Sequence, residues 1–364
     1  MSQRLVSLDA FRGITIAGMI LVNNPGSWSH IYGPLRHAEW HGWTPTDFIF
    51  PFFLFIVGVA MAFSFPRQME TLSRAMIYRK VVRRTLILFG LGLIMAGFPY
   101  YDLSTIRVPG VLQRIAVCYF FASLIFLNSG KRGQALWMAA LLLAYWAILA
   151  LAPVPGGTTG DLSAEGNLGA WLDRFLMDGH LWKERWDPEG LLSTIPAIAT
   201  TLSGILTGHW LRSGHDRREI AGWMFVAGWL AIVAGLFWDI AFPINKGIWT
   251  SSYVIFTSGA ALQFLAFCYW LIDVKEIRAW AGPAIVYGMN AIAVFVASGL
   301  LARGFYLIKI DGADGEMSLK AWLFQGLTAW FDPVNASLVY ALGNVLFWLA
   351  VMYWMYRRRI FIKI

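Results

Sequence analysis

Ten stretches of this chain run for about the length that a helix needs to cross a bilayer, and that recurrence limits the possible folds more than any other feature. At about 1.5 Å of rise per residue, a hydrocarbon core of roughly 30 Å takes about twenty mostly apolar residues. Runs of this kind, bounded by charge, Gly or Pro, cover 11–24, 46–65, 81–98, 108–127, 134–152, 191–211, 220–241, 251–272, 282–301 and 335–356. They are continuous and do not alternate with a period of two, so they read as helices, which satisfy their backbone groups internally in lipid. The first is the shortest. Its apolar stretch Ile14 to Val22 resembles a signal-peptide core, but Asn23-Asn24-Pro25-Gly26 offers no small-x-small cleavage site, and it is read as a span. The predicted fold class is all-α, a polytopic membrane helix bundle with about ten transmembrane helices.

Composition agrees. With 58% hydrophobic and only 14% charged residues, the chain departs from the quarter-charged norm of soluble domains, which argues against a soluble enzyme and against disorder. Two cysteines in 364 residues exclude a disulfide scaffold. The net charge of +8 would suit nucleic acid, but the Lys and Arg sit in short segments between apolar runs, so no nucleic-acid partner is expected. Alternating segments carry eighteen of these cations against nine, with Arg12 and Arg114 inside spans. The excess places both termini in the cytoplasm, as an even number of crossings requires. The long connections 153–190 and 302–334 then fall outside, and Leu319 to Trp330 in the second reads as an amphipathic or re-entrant segment. Gly204-x-x-x-Gly208 within a span points to close helix packing, and Gly90-x-Gly92, lacking a preceding strand, is no nucleotide loop.

A charged side chain deep in a bilayer costs at least a few kcal/mol unless it is paired or hydrated, so polar residues near the spans carry the functional information. The densest group runs from Asn23 and Asn24 through His30, Arg36, His37, Glu39 and His41 to Asp47. Three of the six histidines fall within these residues, which raises metal binding. Gly33 and Pro34 interrupt the stretch, however, and no helical His-x-x-x-His pair with a Glu base is present, so no metal is expected. An imidazole fixed beside a carboxylate suits general-base catalysis, and His37 with Asp47 meets that description. Equally, Asp47 caps the helix it precedes while His37 lines a polar vestibule. Asn23 and Asn24 read as caps of the first helix or as amide donors to a carbonyl oxygen on which charge develops. Arg114, about 9 Å along a helix that starts near Val108, either snorkels or pairs with Asp239 or Asp47, or else it meets a phosphate or acyl group. Lys246, after Pro243 and Asn245, can serve similarly. Cys118 and Cys268 read as small core residues.

Several motifs together resemble one family. Ser7-Leu8-Asp9-Ala10-Phe11-Arg12-Gly13, Val22-Asn23, His37-Ala38-Glu39-Trp40-His41-Gly42 and Asp47-Phe48-Ile49-Phe50-Pro51-Phe52-Phe53 are similar to the heparan-alpha-glucosaminide N-acetyltransferase family and its bacterial relatives. The likeness continues through Val108-Pro109-Gly110-Val111-Leu112-Gln113-Arg114, Pro243-Ile244-Asn245-Lys246 with Trp249 and Ser252-Tyr253, and Gly288-Met289-Asn290. The resemblance implies transfer of an acetyl group from acetyl-CoA to an amino sugar on the far side of the membrane. His37 matches the family's active-site histidine, Asn23 and Asp47 its supporting polar positions, and Arg114 and Lys246 its motif cations. With Asn245 and Asn290, those cations are the residues expected to hold acetyl-CoA, the acyl-donor cosubstrate. The resemblance also implies a multi-pass protein of the bacterial inner membrane, contact with membrane lipid and a homodimer. The large domain that precedes the spans in the lysosomal enzyme has no counterpart in this sequence, so a small amino sugar or oligosaccharide is the expected acceptor.

On this reading residues 1–364 form a single transmembrane acyltransferase domain. His37 takes a proton from the acceptor, Asp47 holds the imidazole and Asn23 stabilises the oxyanion. A course through an acetyl-imidazole on His37 is the chemical alternative. Two other functions stay open: an O-acyltransferase acting on an external glycan hydroxyl, and a sugar or anion transporter, which buried cations and the Asn-Asn-Pro-Gly break would also fit.

Overall fold

The computed structural model describes residues 5–312 and 315–362. The cytoplasmic placement expected for the two termini includes positions 1–4 and 363–364, which lie outside the described residues. In chain order the helices are α1 (Val6–Asn23), α2 (Ile49–Thr71), α3 (Arg74–Gly97), α4 (Val111–Asn128), α5 (Lys131–Leu151), α6 (Leu168–Met177) and α7 (Thr194–Leu211). There follow α8 (Arg217–Asp239), α9 (Ser251–Tyr269), α10 (Gly282–Met289), α11 (Ala291–Leu307), α12 (Leu319–Thr328) and α13 (Pro333–Arg357). Between α11 and α12 an antiparallel hairpin pairs β1 (Lys309–Gly312) with β2 (Gly315–Ser318), Lys309 opposite Ser318.

Every one of the ten apolar ranges falls on a helix, and the chain is an all-α polytopic membrane protein. The count needs correction. Among the described residues seven helices are long and apolar enough to cross a membrane, or eight if α10 and α11 form one broken span. α3 falls short because Arg74, Arg79, Lys80, Arg83 and Arg84 occupy its first half, and α7 because Thr194, Thr200, Thr201, Ser203, Thr207 and His209 dilute its apolar surface. The straight span expected over 282–301 is broken: α10 and α11 meet at 72° at Asn290, whose backbone (φ −124°, ψ 37°) is not helical. α4 begins at Val111, not near Val108, since Gly110 holds extended backbone ahead of it. Arg114 therefore lies in the first turn, about 4.5 Å from the helix start.

Helix starts follow local chemistry. Asn167 accepts from the Ala170 N–H at 2.9 Å, Asp216 from Arg218 at 2.8 Å, and Asp332 from Val334 at 3.1 Å and Asn335 at 3.2 Å. Such caps satisfy donors that the first helical turn leaves unbonded. The connection 302–334 carries the hairpin and α12, the latter within the segment expected to be amphipathic or re-entrant, and the connection 153–190 carries α6.

The described residues divide into two compact units, 5–38, 44–49, 268–312 and 315–362 in the first, and 39–43 and 50–267 in the second. In the first, α1 and α10 approach backbone to backbone: a Cβ on Gly13 would fall 1.6 Å from the Ala284 carbonyl oxygen. In the second, α2 and α7 do the same, a Cβ on Gly204 falling 2.0 Å from the Phe55 carbonyl oxygen. The glycines at 204 and 208 thus serve helix packing, as their spacing indicates.

Candidate active site

In the first unit, the turn Thr44 to Phe48 that leads into α2 carries a buried carboxylate. Thr44 and Asp47 form a reciprocal capping box, and Asp47 is the third residue of the 3₁₀ turn Pro45–Phe48. Asp47 Oδ2 accepts from the Ala38 N–H at 3.0 Å, the Thr44 N–H at 3.0 Å and the Thr44 hydroxyl at 3.1 Å. Oδ1 faces His37 Nδ1 at 2.6 Å. The Asp47 side chain is 1% exposed and that of His37 51%. A carboxylate has no proton to give, so Nδ1 donates and Nε2 becomes the basic nitrogen of the neutral ring. Capping and ring orientation, set out above as alternatives, are performed together by the two oxygens of one residue.

The two asparagines at the end of α1 have different surroundings. Asn24 is buried and its Nδ2 donates to the Ile20 carbonyl at 2.8 Å, which closes the helix, while Asn23 is exposed. Asn290, buried at the α10–α11 break, donates from Nδ2 to the Ile360 carbonyl at 3.0 Å and accepts on Oδ1 from the Ile362 N–H at 2.9 Å. Its amide thereby fastens the chain after α13.

The second unit holds the other candidates. The buried Asn245 accepts on Oδ1 from the Ile248 N–H at 3.0 Å and donates from Nδ2 to His41 Nδ1 at 3.2 Å. The Gly42 N–H donates to the Ile244 carbonyl at 2.7 Å, and Trp40 Nε1 to the Leu162 carbonyl at 2.9 Å, so residues 40–42 are tied down on both sides. Lys246 is half-buried in the turn that its carbonyl closes with the Trp249 N–H at 3.2 Å. Trp249 is buried with left-handed backbone (φ 50°), rare for a bulky residue. Its indole donates to Thr200 Oγ1 at 3.2 Å and packs edge-on against Phe50 and Tyr253.

Over the Trp249 ring, 5.1 Å from its centroid, sits the guanidinium of Arg114, which is 2% exposed. Nη2 donates to the Gly190 carbonyl at 2.9 Å and to the Ser193 hydroxyl. Nε and Nη1 have no hydrogen-bond partner among the described residues. The pairing with Asp239 that the sequence admitted is not formed: Asp239 accepts from the Ile244 N–H at 2.5 Å and shapes the turn after α8. A buried cation with two unsatisfied donor nitrogens is equipped to receive an anionic or carbonyl oxygen.

The segment that Arg114 grips is itself held by charge. Asp173 accepts from the Leu191 N–H at 2.9 Å, and burial pushes its carboxyl up to about 6. Arg107 donates to Asp187 through Nε at 2.8 Å and Nη2 at 2.6 Å, and also to Glu189. Burial opposes its charge, but those carboxylates outweigh it and hold the guanidinium above its ordinary value. Among the described residues no three His, Cys, Asp or Glu side chains are grouped to hold a metal ion. His30 Nδ1 faces Ser27 Oγ at 3.2 Å, so the three clustered histidines each have a different partner.

Sequence reasoning missed Thr44, Ser193 and the Arg107–Asp187–Glu189 set. Thr44 had a signal, since Thr44 and Asp47 stand at capping-box spacing. The others had none, because Arg107 and Asp187 meet across 80 residues of chain.

Residues 4–237 match the family model described as heparan-alpha-glucosaminide N-acetyltransferase, catalytic. Over 100% of its length the chain is 29% identical to the heparan-alpha-glucosaminide N-acetyltransferase of Mus musculus, of which it covers 61%. Over 99% it is 28% identical to that of Homo sapiens, of which it covers 60%. The chain thus spans about three fifths of the length of these curated relatives. With well over half of its residues matched by the family model, and the His37–Asp47 pair within the matched part, the chain belongs to the heparan-alpha-glucosaminide N-acetyltransferase family.

Proposed function

We propose that this protein is a transmembrane N-acetyltransferase that moves an acetyl group from acetyl-CoA to a glucosamine-type amino sugar or small oligosaccharide on the periplasmic side of a bacterial inner membrane. On this reading residues 1–364 work as one acyltransferase domain. The observation that carries it is the half-exposed imidazole of His37 held through Nδ1 by a buried carboxylate whose other oxygen is occupied by three donors.

A thioester supplies an activated acyl carbon, and the rest falls to the chain. His37 Nε2 takes the proton that the acceptor amine loses as its nitrogen bonds to the acyl carbon, and the carbon–sulfur bond breaks to release the thiolate. The proton then passes from the imidazolium to that sulfur. Asp47 keeps the ring in the tautomer that can do this and stabilises the imidazolium. The exposed amide of Asn23 donates to the carbonyl oxygen as it gains charge. Arg114 contributes its unsatisfied Nε and Nη1 donors to an anionic part of the acyl donor, with Lys246, Asn245 and Asn290 as further donor-binding residues. The protein works as a homodimer.

The test uses purified full-length protein in detergent, where no compartments exist, with labelled acetyl-CoA and glucosamine. N-acetylated sugar should form with the parent chain and be lost in His37→Ala, which should stay folded and keep its binding of acetyl-CoA. Ordinary turnover by His37→Ala would overturn the site. Absence of acetylated sugar alongside uptake into sealed vesicles would overturn the enzyme in favour of a transporter, and ester-linked product would make the acceptor a hydroxyl.

A further inference from the structure

A groove of about 530 Å³ runs between α10 and the C-terminal half of α13, wholly inside the first unit. That volume lies within the roughly 300–1,000 Å³ of small-molecule sites. Gly282 and Val286 line one side, Leu349 and Ala350 the other, and Tyr353 and Tyr356 stand at one end. A Cβ on Gly282 would meet nothing within 4 Å, so the space continues where that residue lacks a side chain. The 72° bend at Asn290 turns α10 out of line with α11, and the Asn290 amide fastens the residues after α13 to that bend. The chain reverses at Arg359 (φ 57°), and Arg357, Arg358 and Arg359 stand exposed directly after Tyr356. The Arg357 guanidinium lies 5.9 Å from the centre of the Tyr353 ring, and exposed Arg278 precedes Gly282 by one turn.

We propose that this groove binds an anionic phospholipid, with one acyl chain along the hydrocarbon lining and the phosphate at the arginines that follow Tyr356. The lining selects the chain. Apart from two tyrosine hydroxyls, its side chains offer no polar group, so a ligand that placed amides or hydroxyls there would leave them unbonded. The cations select the head. Basic residues next to a membrane-crossing helix attract anionic lipid, and α13 is one of the helices apolar and long enough to cross. Tyrosines at the junction of groove and arginines suit the level where chain meets headgroup. A zwitterionic lipid brings the same hydrocarbon without the net charge, so the two should be told apart.

The full chain in dodecyl maltoside is titrated with phosphatidylglycerol, with phosphatidylcholine of the same chains, or with inorganic phosphate, and thermal unfolding is followed. Phosphatidylglycerol should raise Tm saturably and the other two should not. Arg357→Gln combined with Arg358→Gln should weaken the apparent affinity by roughly tenfold or more. Gly282→Leu, which fills open space, should abolish the shift and leave the lipid-free Tm unchanged. An equal shift with phosphatidylcholine, an equal shift with inorganic phosphate, or a phosphatidylglycerol shift undiminished in the arginine variant would overturn the proposal. Should Gly282→Leu lower the lipid-free Tm, the arginine variant decides alone.

Discussion

Replacing Asp47 by asparagine should disable the imidazole and leave its loop folded, for reasons visible in the hydrogen bonds. Three donors converge on Oδ2, the N–H groups of Ala38 and Thr44 and the Thr44 hydroxyl, whereas Oδ1 receives His37 Nδ1. An amide offers one acceptor oxygen and one NH2 group. Turning the NH2 toward the three donors would forfeit bonds worth about 1 kcal/mol each, so the amide oxygen takes the Oδ2 position and the NH2 faces His37. Imidazole can accept at Nδ1 only with its proton on Nε2, and that tautomer has no lone pair with which to take a proton from the acceptor. General-base assistance is worth about 10²–10⁴-fold, and kcat should fall by about that factor. Loss of charge assistance should cost stability on the order of 1–3 kcal/mol. Acetyl transfer at saturating substrate and thermal unfolding, both in detergent, separate the two effects. A folded variant with kcat within about threefold of the parent would refute the reasoning.

Three other outcomes can be checked. Arg114→Met keeps most of the side-chain volume and removes a buried, half-satisfied cation, so the KM for acetyl-CoA should rise roughly tenfold or more with little loss of Tm, and an unchanged KM would count against a donor-binding role. Burial raises the Asp173 carboxyl from 3.8 to about 6, so the folded protein keeps a proton that the unfolded chain releases between those values. That contribution is complete below about pH 4 and is lost as pH rises through about 6, on the order of 2–3 kcal/mol, and in Asp173→Asn unfolding measured from pH 4 to 7 should lose this decline. Gly204→Ala drives a Cβ into the Phe55 carbonyl and should cost about 1–3 kcal/mol or more in thermal unfolding, whereas Gly222→Ala in α8, with nothing within 4 Å, should be neutral or stabilising.

That the chain is helical and membrane-embedded, and roughly where the long apolar helices lie, was legible in the amino-acid sequence alone, whereas α6 within the connection 153–190 was not. Apolar runs of bilayer length need no partner to declare themselves, because lipid enforces backbone satisfaction within each segment. The sequence also singled out His37 and Asp47, since polar residues bordering such runs are conspicuous. Tertiary structure decided how those groups are used. The division of labour between the two oxygens of Asp47 depends on where the Ala38 and Thr44 donors come to rest. Arg114, for which the sequence left snorkelling, a carboxylate partner and a phosphate or acyl partner all open, found the Gly190 carbonyl and Ser193 across more than 70 residues, and two of its nitrogens have no hydrogen-bond partner among the described residues. The break at Asn290 was hidden because both halves of the run are equally apolar, and the groups that occupy its amide lie 70 and 72 residues further along the chain. Hydrophobicity is a property of each residue and can be read in order; a hydrogen bond between distant residues exists only once folding has brought its donor and acceptor together.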